Sequence, residues 1–541
     1  MKNSIFIISF IFFCLSANGI LNAQGSLPSE EVEVVKSFDA RLANAERLAM
    51  KPQLPPFDTS QLDYDFKINQ RTIDPTYQPP AIKALGMSSP PRSASYNGYL
   101  RGGYGLPSSP LVDVHYTFDN QDNFMLSFDG SHYSLDNTSK LEHQFMMEND
   151  AAINTRYIVS DGLAITGGID FSLDRYDLYG YDHELDSFSQ SEAERAFQTI
   201  GVKAGIENPM PNDWGLDYRL DVYFQNHEDN RSASENNFGA TAEITKWFNK
   251  KNPLSIRMGA SNTSFADLTT EAALDNYFVE PTFSFYRDNW SAKVGGQFAY
   301  GNNETYIYPV INVQVRVLDS RIVAFAGSDG QLSPQNFLSL SRRNPYINTN
   351  FDSLYNTSLL DIYGGIKGEY NRISYQLKGS YQIAENLPFF LPSPDDSRLF
   401  DLVVDNGSII ELSASADYQM NEQLSFSASA VQQIINLDTL AAAFHMPTLT
   451  IDGKAAYTFL KGDLTVWSGI TFQNGVPILN ETLEVERLGS LVDLSLGVDY
   501  YFSDRFGLFL HGYNLLNNTR QRWQAYPIVG TNVLGGLMMR F

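Results

Sequence analysis

Residues 373–384 read Ile-Ser-Tyr-Gln-Leu-Lys-Gly-Ser-Tyr-Gln-Ile-Ala. Ile373, Tyr375, Leu377, Gly379, Tyr381 and Ile383 alternate there with small or polar residues, so an extended chain presents an apolar and a polar face. The same period of two runs through Ile410–Met420 (Ile410, Leu412, Ala414, Ala416, Tyr418, Met420), Val492–Phe502 and Ile311–Val317. Runs of about ten residues suit a tilted strand crossing a bilayer. Strands of soluble sandwiches average only about five or six. Such strands also explain the composition: 541 residues are 43% hydrophobic, 13% aromatic and 18% charged, yet mean hydropathy is −0.25. Beyond the first 23 residues no run of 18 apolar residues occurs, which excludes helical spans. A single cysteine excludes a disulfide scaffold, and a net charge of −24 argues against a nucleic-acid partner. Lipid tolerates no open sheet edge, so the sheet must close. The expected fold is all-β: a transmembrane antiparallel β-barrel over residues 95–541.

Tight turns are expected at Ser160-Asp161-Gly162, Asn208–Asp213, Asn249–Pro253, Arg287–Asn289, Asp319-Ser320, Asn371-Arg372, Asn421-Glu422, Lys461-Gly462 and Ser503-Asp504. Longer loops are expected between them, for example Tyr181–Ala193, Asp329–Thr357, Glu385–Asn406 and Asn514–Gly530. Short connections should face the periplasm and long ones the exterior, and counting hairpins gives about 22 strands. Trp214, Trp247, Trp290, Tyr286, Tyr370 and Phe502 lie beside short turns, as an interfacial aromatic girdle would.

The N-terminus sets the compartment. Lys2, the apolar stretch Ile5–Leu15 and Leu21-Asn22-Ala23 read as a secretory signal over residues 1–23, cut before Gln24. Ile11-Phe12-Phe13 before Cys14 lacks the small residues of a lipoprotein site. Residues 24–94 hold nine of the 24 prolines, too many for regular sheet. They read as an extended periplasmic tail with one possible helix, Ser29–Met50, whose Val35, Phe38, Leu42, Ala45 and Leu48 share a face. A tail with so little core should order only against a partner protein or the rest of the chain.

Near the C-terminus stand Asn514-Leu515-Leu516-Asn517, then Tyr526-Pro527 and Gly530, then a strand ending at Phe541. This resembles the end of TonB-dependent receptor barrels, an Asn-Leu-Leu/Phe-Asn corner and a Tyr-Pro…Gly loop before a last strand closing on Phe. The resemblance implies that Val533, Gly535, Leu537, Met539 and Phe541 form the outward face read by the barrel-insertion machinery. Thr531 departs from it, since the family usually has Arg there. The family also carries a plug of roughly 130–150 residues, whereas only 71 residues lie between the expected signal and this barrel, without the plug's Gly-rich strands or Arg-Gly core. The expectation is a barrel lacking a recognisable plug. Glu31-Val32-Glu33-Val34-Val35 faintly resembles a TonB box and equally suits the first turns of the proposed helix.

No phosphate-binding loop, dinucleotide fingerprint or nucleophile elbow is present, so no catalytic residue, cofactor or metal site is nominated. Asp182-His183-Glu184 with Asp186, and His227-Glu228-Asp229, read as acidic loop clusters, solvated or loosely binding Ca²⁺. Arg342-Arg343 with Tyr346 could meet an anionic ligand or a lipopolysaccharide phosphate, or simply be solvated. Three functions remain open: a receptor-like barrel for solute binding or transport with partner proteins, a scaffold of an outer-membrane assembly, and a diffusion pore. A barrel this wide needs filling, by inward-folded loops, the tail or another protein.

Overall fold

A computed structural model describes residues 96–541 apart from positions 120–122, 211, 352, 481 and 483. The signal (1–23), the tail (24–94), its possible helix and the TonB-box-like stretch lie outside the described residues.

Twenty-two antiparallel strands form one sheet in sequence order. It closes because the first strand, Gly98–Leu106, pairs with the last, Asn532–Arg540, from Tyr99↔Arg540 to Leu106↔Val533. Phe541 finishes the seam: its carbonyl accepts from the N–H groups of Asn97 and Gly98 at 2.8 and 3.0 Å. A closed sheet leaves no backbone edge unpaired, as a hydrocarbon environment requires. The alternation sorts as expected. Ile373, Leu377, Tyr381 and Ile383 face outward, as do Ile311, Val313, Val315 and Val317. Between them Lys378 faces the lumen and pairs with Asp361 at 2.9 Å. Asn371 and Arg372 both have positive φ, the left-handed pair that a two-residue hairpin turn needs to match strand twist. All nine expected turns lie between strands at one end of the barrel.

The other end departs from expectation in three ways. Residues 385–392 and 400–406 are not loop. Ile373–Pro392 and Phe400–Gln419 pair along most of their length, shifting register at a bulge between Ala384 and Leu387. Pro388 and Pro392 suggest a loop, but Phe389 and Phe390 are both buried, Phe390 within the core at this end of the barrel, and hold the hairpin in place. The loop expected over Asp329–Thr357 shrinks to 336–354, because the flanking strands run to Gln335 and from Tyr355. It carries a short helix, Phe337–Arg343. Finally, the connections at 107–110, 230–233, 267–270 and 302–303 are as short as turns, so length does not strictly alternate.

The aromatic girdle is also partly corrected. Trp214, Trp290, Tyr370 and Phe502 are exposed at the short-turn rim. Trp247 and Tyr286 have lumen-facing parity and line the interior instead, Trp247 Nε1 donating to Asp217 at 2.6 Å. Closeness to a turn does not determine the face a side chain takes. Parity does.

Leu377 lies outward within the apolar band, so Leu377→Arg is expected to cost about 2–4 kcal/mol. Urea unfolding of the barrel in liposomes measures this, and an unchanged midpoint would contradict the assigned lipid face.

Candidate functional site

The long-loop end has a hydrophobic core of its own, which a water-filled barrel lacks. Phe197, Phe265 and Leu274 point inward from strand ends, where polar residues would line an open lumen. The loops fold over them. Phe337, Leu340, Tyr346, Ile347 and Phe351 come from residues 336–354, Leu178 from 177–195, and Trp523 and Tyr526 from the loop before the last strand.

These loops meet across the barrel. Leu163–Tyr176 and Ala196–Glu207 are the fifth and sixth strands; Ile373–Pro392 and Phe400–Gln419 are the fifteenth and sixteenth, nearly half the ring away. Yet Arg398, between the latter, stacks over Phe188 at 3.7 Å and donates to the Glu192 carbonyl at 3.3 Å, both between the former. Contact between nearly opposite loops requires that they span the opening. Tyr526 sits at their junction, 1% exposed. It stacks on Tyr346 at 3.7 Å, meets Tyr179 edge-on at 4.8 Å, and donates its hydroxyl to the Arg398 carbonyl at 2.6 Å. Burial, with neighbouring phenols, holds the Tyr346 hydroxyl protonated far above the ordinary range.

Buried polar groups fasten this layer to the wall. Glu235, 1% exposed, accepts the backbone N–H groups of Phe337 and Leu338 at 2.5 and 3.3 Å. Asn336 caps the same helix by accepting from Ser339 N at 3.0 Å. His227 bonds Ser341 at 3.0 Å and Thr199 at 2.9 Å. Arg195 approaches Asp229 at 3.0 Å, and burial pulls its guanidinium down to about 10. His227-Glu228-Asp229 is therefore the end of a strand, Leu216–Asp229, with His227 and Asp229 buried, and the expected loop cluster is corrected. In the other acidic cluster, Asp182 accepts the Glu184 N–H and His183 bonds the Tyr179 carbonyl. Among the described residues, no group of three His, Cys, Asp or Glu converges on a metal position.

The expected Arg342–Arg343–Tyr346 grouping is divided. Tyr346 is buried in the core, while Arg343 joins Arg520 and Arg522 around a cavity of about 450 Å³ beside the layer. His445 lies on its rim. Nδ1 donates to the Phe390 carbonyl and Nε2 accepts from Gln524 N, which fixes a neutral imidazole. Burial lowers its pKa to about 4. The unfolded chain takes up a proton near pH 6.5 that the folded loop refuses until about 4. The stability His445 contributes is thus complete above pH 6.5 and lost as pH falls through that window, on the order of 3 kcal/mol in all. Amide protection over residues 438–448 should decrease between pH 7 and 4.5, and His445→Gln should remove most of that dependence. Wild-type protection that ignores pH would contradict it.

Below the layer, a lumen cavity of about 950 Å³ is lined by Glu207, Asp217, Glu243, Glu280, Asp329 and Asp361 against Arg219, Arg257 and Lys293. Glu280 takes Arg257 at 2.8 Å and Lys293 at 3.5 Å.

The C-terminal residues occupy distinct positions. Val533, Gly535, Leu537, Met539 and Phe541 alternate with the inward Leu534 and Met538, and Val533, Leu537 and Phe541 are exposed. In the corner, Asn514 and Asn517 have positive φ, and Asn514 Nδ2 donates to the carbonyls of Asn518 and Val529. Leu515 N–H bonds the Leu494 carbonyl, whereas Leu516 is exposed. Thr531 completes this knot, donating its hydroxyl to the Asn514 carbonyl and its N–H to Asn517, beside Gly530. Gln144 donates to the Pro527 carbonyl at 2.9 Å. Sequence reasoning missed Arg195, Glu235 and His445. The available signal was an aromatic residue at lumen parity near a strand's long-loop end.

A closed antiparallel barrel of 22 strands, crossed at one end by packed loops, has the fold of TonB-dependent receptor barrels. Among solved structures, it is similar to the ferripyoverdine receptor of the outer membrane of Pseudomonas aeruginosa (14% identity, 83% of this chain and 72% of that one, TM-score 0.59). It is also similar to the siderophore receptor PirA from Acinetobacter baumannii (11%, 83% and 81%, 0.63) and the FrpB iron transporter from Neisseria meningitidis (11%, 83% and 82%, 0.64). At such identities the likeness concerns the fold. No protein-family model matches the sequence, and neither does any curated protein.

Proposed function

We propose that this chain is a receptor-like barrel of the outer membrane, which takes a solute at its long-loop end and works with partner proteins. The observation that carries this reading is the loop layer: contacts between nearly opposite loops, over a charged lumen, suit a gated receptor better than an open pore. The similarity to siderophore receptors and an iron transporter supports it. In this reading short turns face the periplasm, and residues 24–94, after signal cleavage, supply the periplasmic docking segment. The outward side chains from Val533 to Phe541 meet lipid and present the strand to the insertion machinery.

Planar-bilayer recording of the purified full chain tests the reading. The intact barrel should carry no steady current, and deleting residues 337–351 should open a conductance. A large conductance from the intact chain would make it a diffusion pore instead. Purification from native membranes with and without residues 24–94 tests docking: deletion should lose a co-purifying protein while the barrel remains, and an unchanged partner set would refute it.

A further inference from the structure

Arg343, Arg520 and Arg522 share the cavity of about 450 Å³ where the loop layer meets the wall. Seven guanidinium groups elsewhere in this acidic chain, those of Arg101, Arg156, Arg175, Arg195, Arg219, Arg257 and Arg398, lie within 4 Å of a carboxylate, while Arg231, Arg316 and Arg372 donate to backbone carbonyls instead. Among the described residues, no carboxylate lies that close to any of the three in the cavity. Arg343 donates only to Gln335 Oε1, at 3.4 Å. Arg520 spends its terminal nitrogens on the Gly489 carbonyl (3.4 Å) and Gln473 Oε1 (3.2 Å), leaving its buried Nε without an acceptor. Arg522 has no polar partner there. Desolvation pulls Arg343 and Arg520 below the usual guanidinium value; Arg520 is half-buried, whereas Arg343 and Arg522 remain exposed to solvent. The lining also includes Phe389, Phe390, Phe444 and Trp523, all buried.

Three cations without carboxylate partners, in a cavity also lined by aromatic rings, describe one kind of occupant. We propose that this cavity binds a small amphiphilic organic anion, a ring or other apolar body carrying a carboxylate or sulfonate. The apolar part covers the aromatic rings, and the acid group takes the free guanidinium donors in charge-assisted hydrogen bonds. The volume suits a small ligand, within the roughly 300–1,000 Å³ of typical sites. The inference rests on the receptor reading, since it names the class of solute that the long-loop end receives.

The test is titration calorimetry of the full chain in a non-ionic detergent, with 2-naphthalenesulfonate, the neutral 2-naphthalenemethanol and inorganic sulfate as probes. The sulfonate should saturate one site and bind at least about tenfold tighter than either other probe, the factor that 1.4 kcal/mol represents. R520Q and R522Q should each weaken it by about tenfold, and F444A should weaken it with the anion dependence kept. Heat-modifiable migration on gels verifies that each variant is folded. Absence of saturable sulfonate binding, equal binding by the neutral probe or by sulfate, or retention of full affinity in R343Q/R520Q/R522Q would each overturn the proposal. If the loop deletion conducts and the sulfonate does not bind, the receptor reading survives and this assignment falls.

Discussion

Arg195→Leu is expected to lower the free energy that keeps the loop layer closed by about 3–5 kcal/mol, the usual cost of removing one partner from a buried ion pair. Its side chain is 2% exposed and that of Asp229 is 0% exposed. The 3.0 Å approach is a charge contact without hydrogen-bond alignment, since Asp229 Oδ2 and Arg195 Nε both lack a bonded partner. Desolvation offsets most of the attraction, so the pair adds little net stability and costs much when broken. Asp229 Oδ1 still accepts the N–H groups of Arg231 and Ala233 at 2.8 Å, so the stranded carboxylate could not turn to water without undoing that turn. Arg195 also donates to the Ile347 carbonyl at 3.1 Å and lies over Phe197 at 5.2 Å. Adding Asp229→Asn to Arg195→Leu should recover part of the loss, because the amide keeps the turn and removes the charge. Hydrogen exchange across residues 177–195 and 336–354 measures both, and unchanged protection in the single variant would show that the pair does not hold the layer.

The barrel was legible in the sequence because its determinants are local. Lipid on one side and water on the other impose a period of two, and Ile373–Ile383 or Val492–Phe502 reveal it without knowledge of any partner strand. The Asn514 corner was legible for the same reason: its bonds to Asn518 and Thr531 close within a few residues of the quoted motif. The layer was not. Glu235 meets Phe337 across 102 positions, and Tyr526 meets Arg398 across 128. Nothing in the period of either segment specifies such a contact. Pro388 and Pro392 suit the loop expected over Glu385–Asn406, since proline usually ends pairing, whereas buried phenylalanines beside them hold the hairpin together. Trp247 and Tyr286 were placed by closeness to a turn, when their parity assigned them to the lumen.

Tyr526→Ala is expected to open the layer, at a cost of about 3–5 kcal/mol for emptying a buried aromatic site. The neighbours leave little room for partial collapse. Tyr346 loses its stacking partner, the Arg398 carbonyl loses its donor, and Phe400, 6.1 Å away between ring centres, loses a neighbour. Gly180 is fitted to the same ring, since a Cβ there would come 2.2 Å from Tyr526 Cε2. Gly180→Ala should therefore strain the layer from the other side, and in the Tyr526→Ala background it should become nearly harmless. Tyr526→Phe keeps the stack and loses one hydrogen bond, typically about 1 kcal/mol. The order Phe, then Ala, separates packing from polar contact. In planar bilayers the Ala variant should show openings that the Phe variant lacks, because a ring at the junction of four loops governs whether they meet at all. Equal silence from both variants would mean that the loops stay closed without this ring, and the gating role would pass to the rings around Phe337 in the same core.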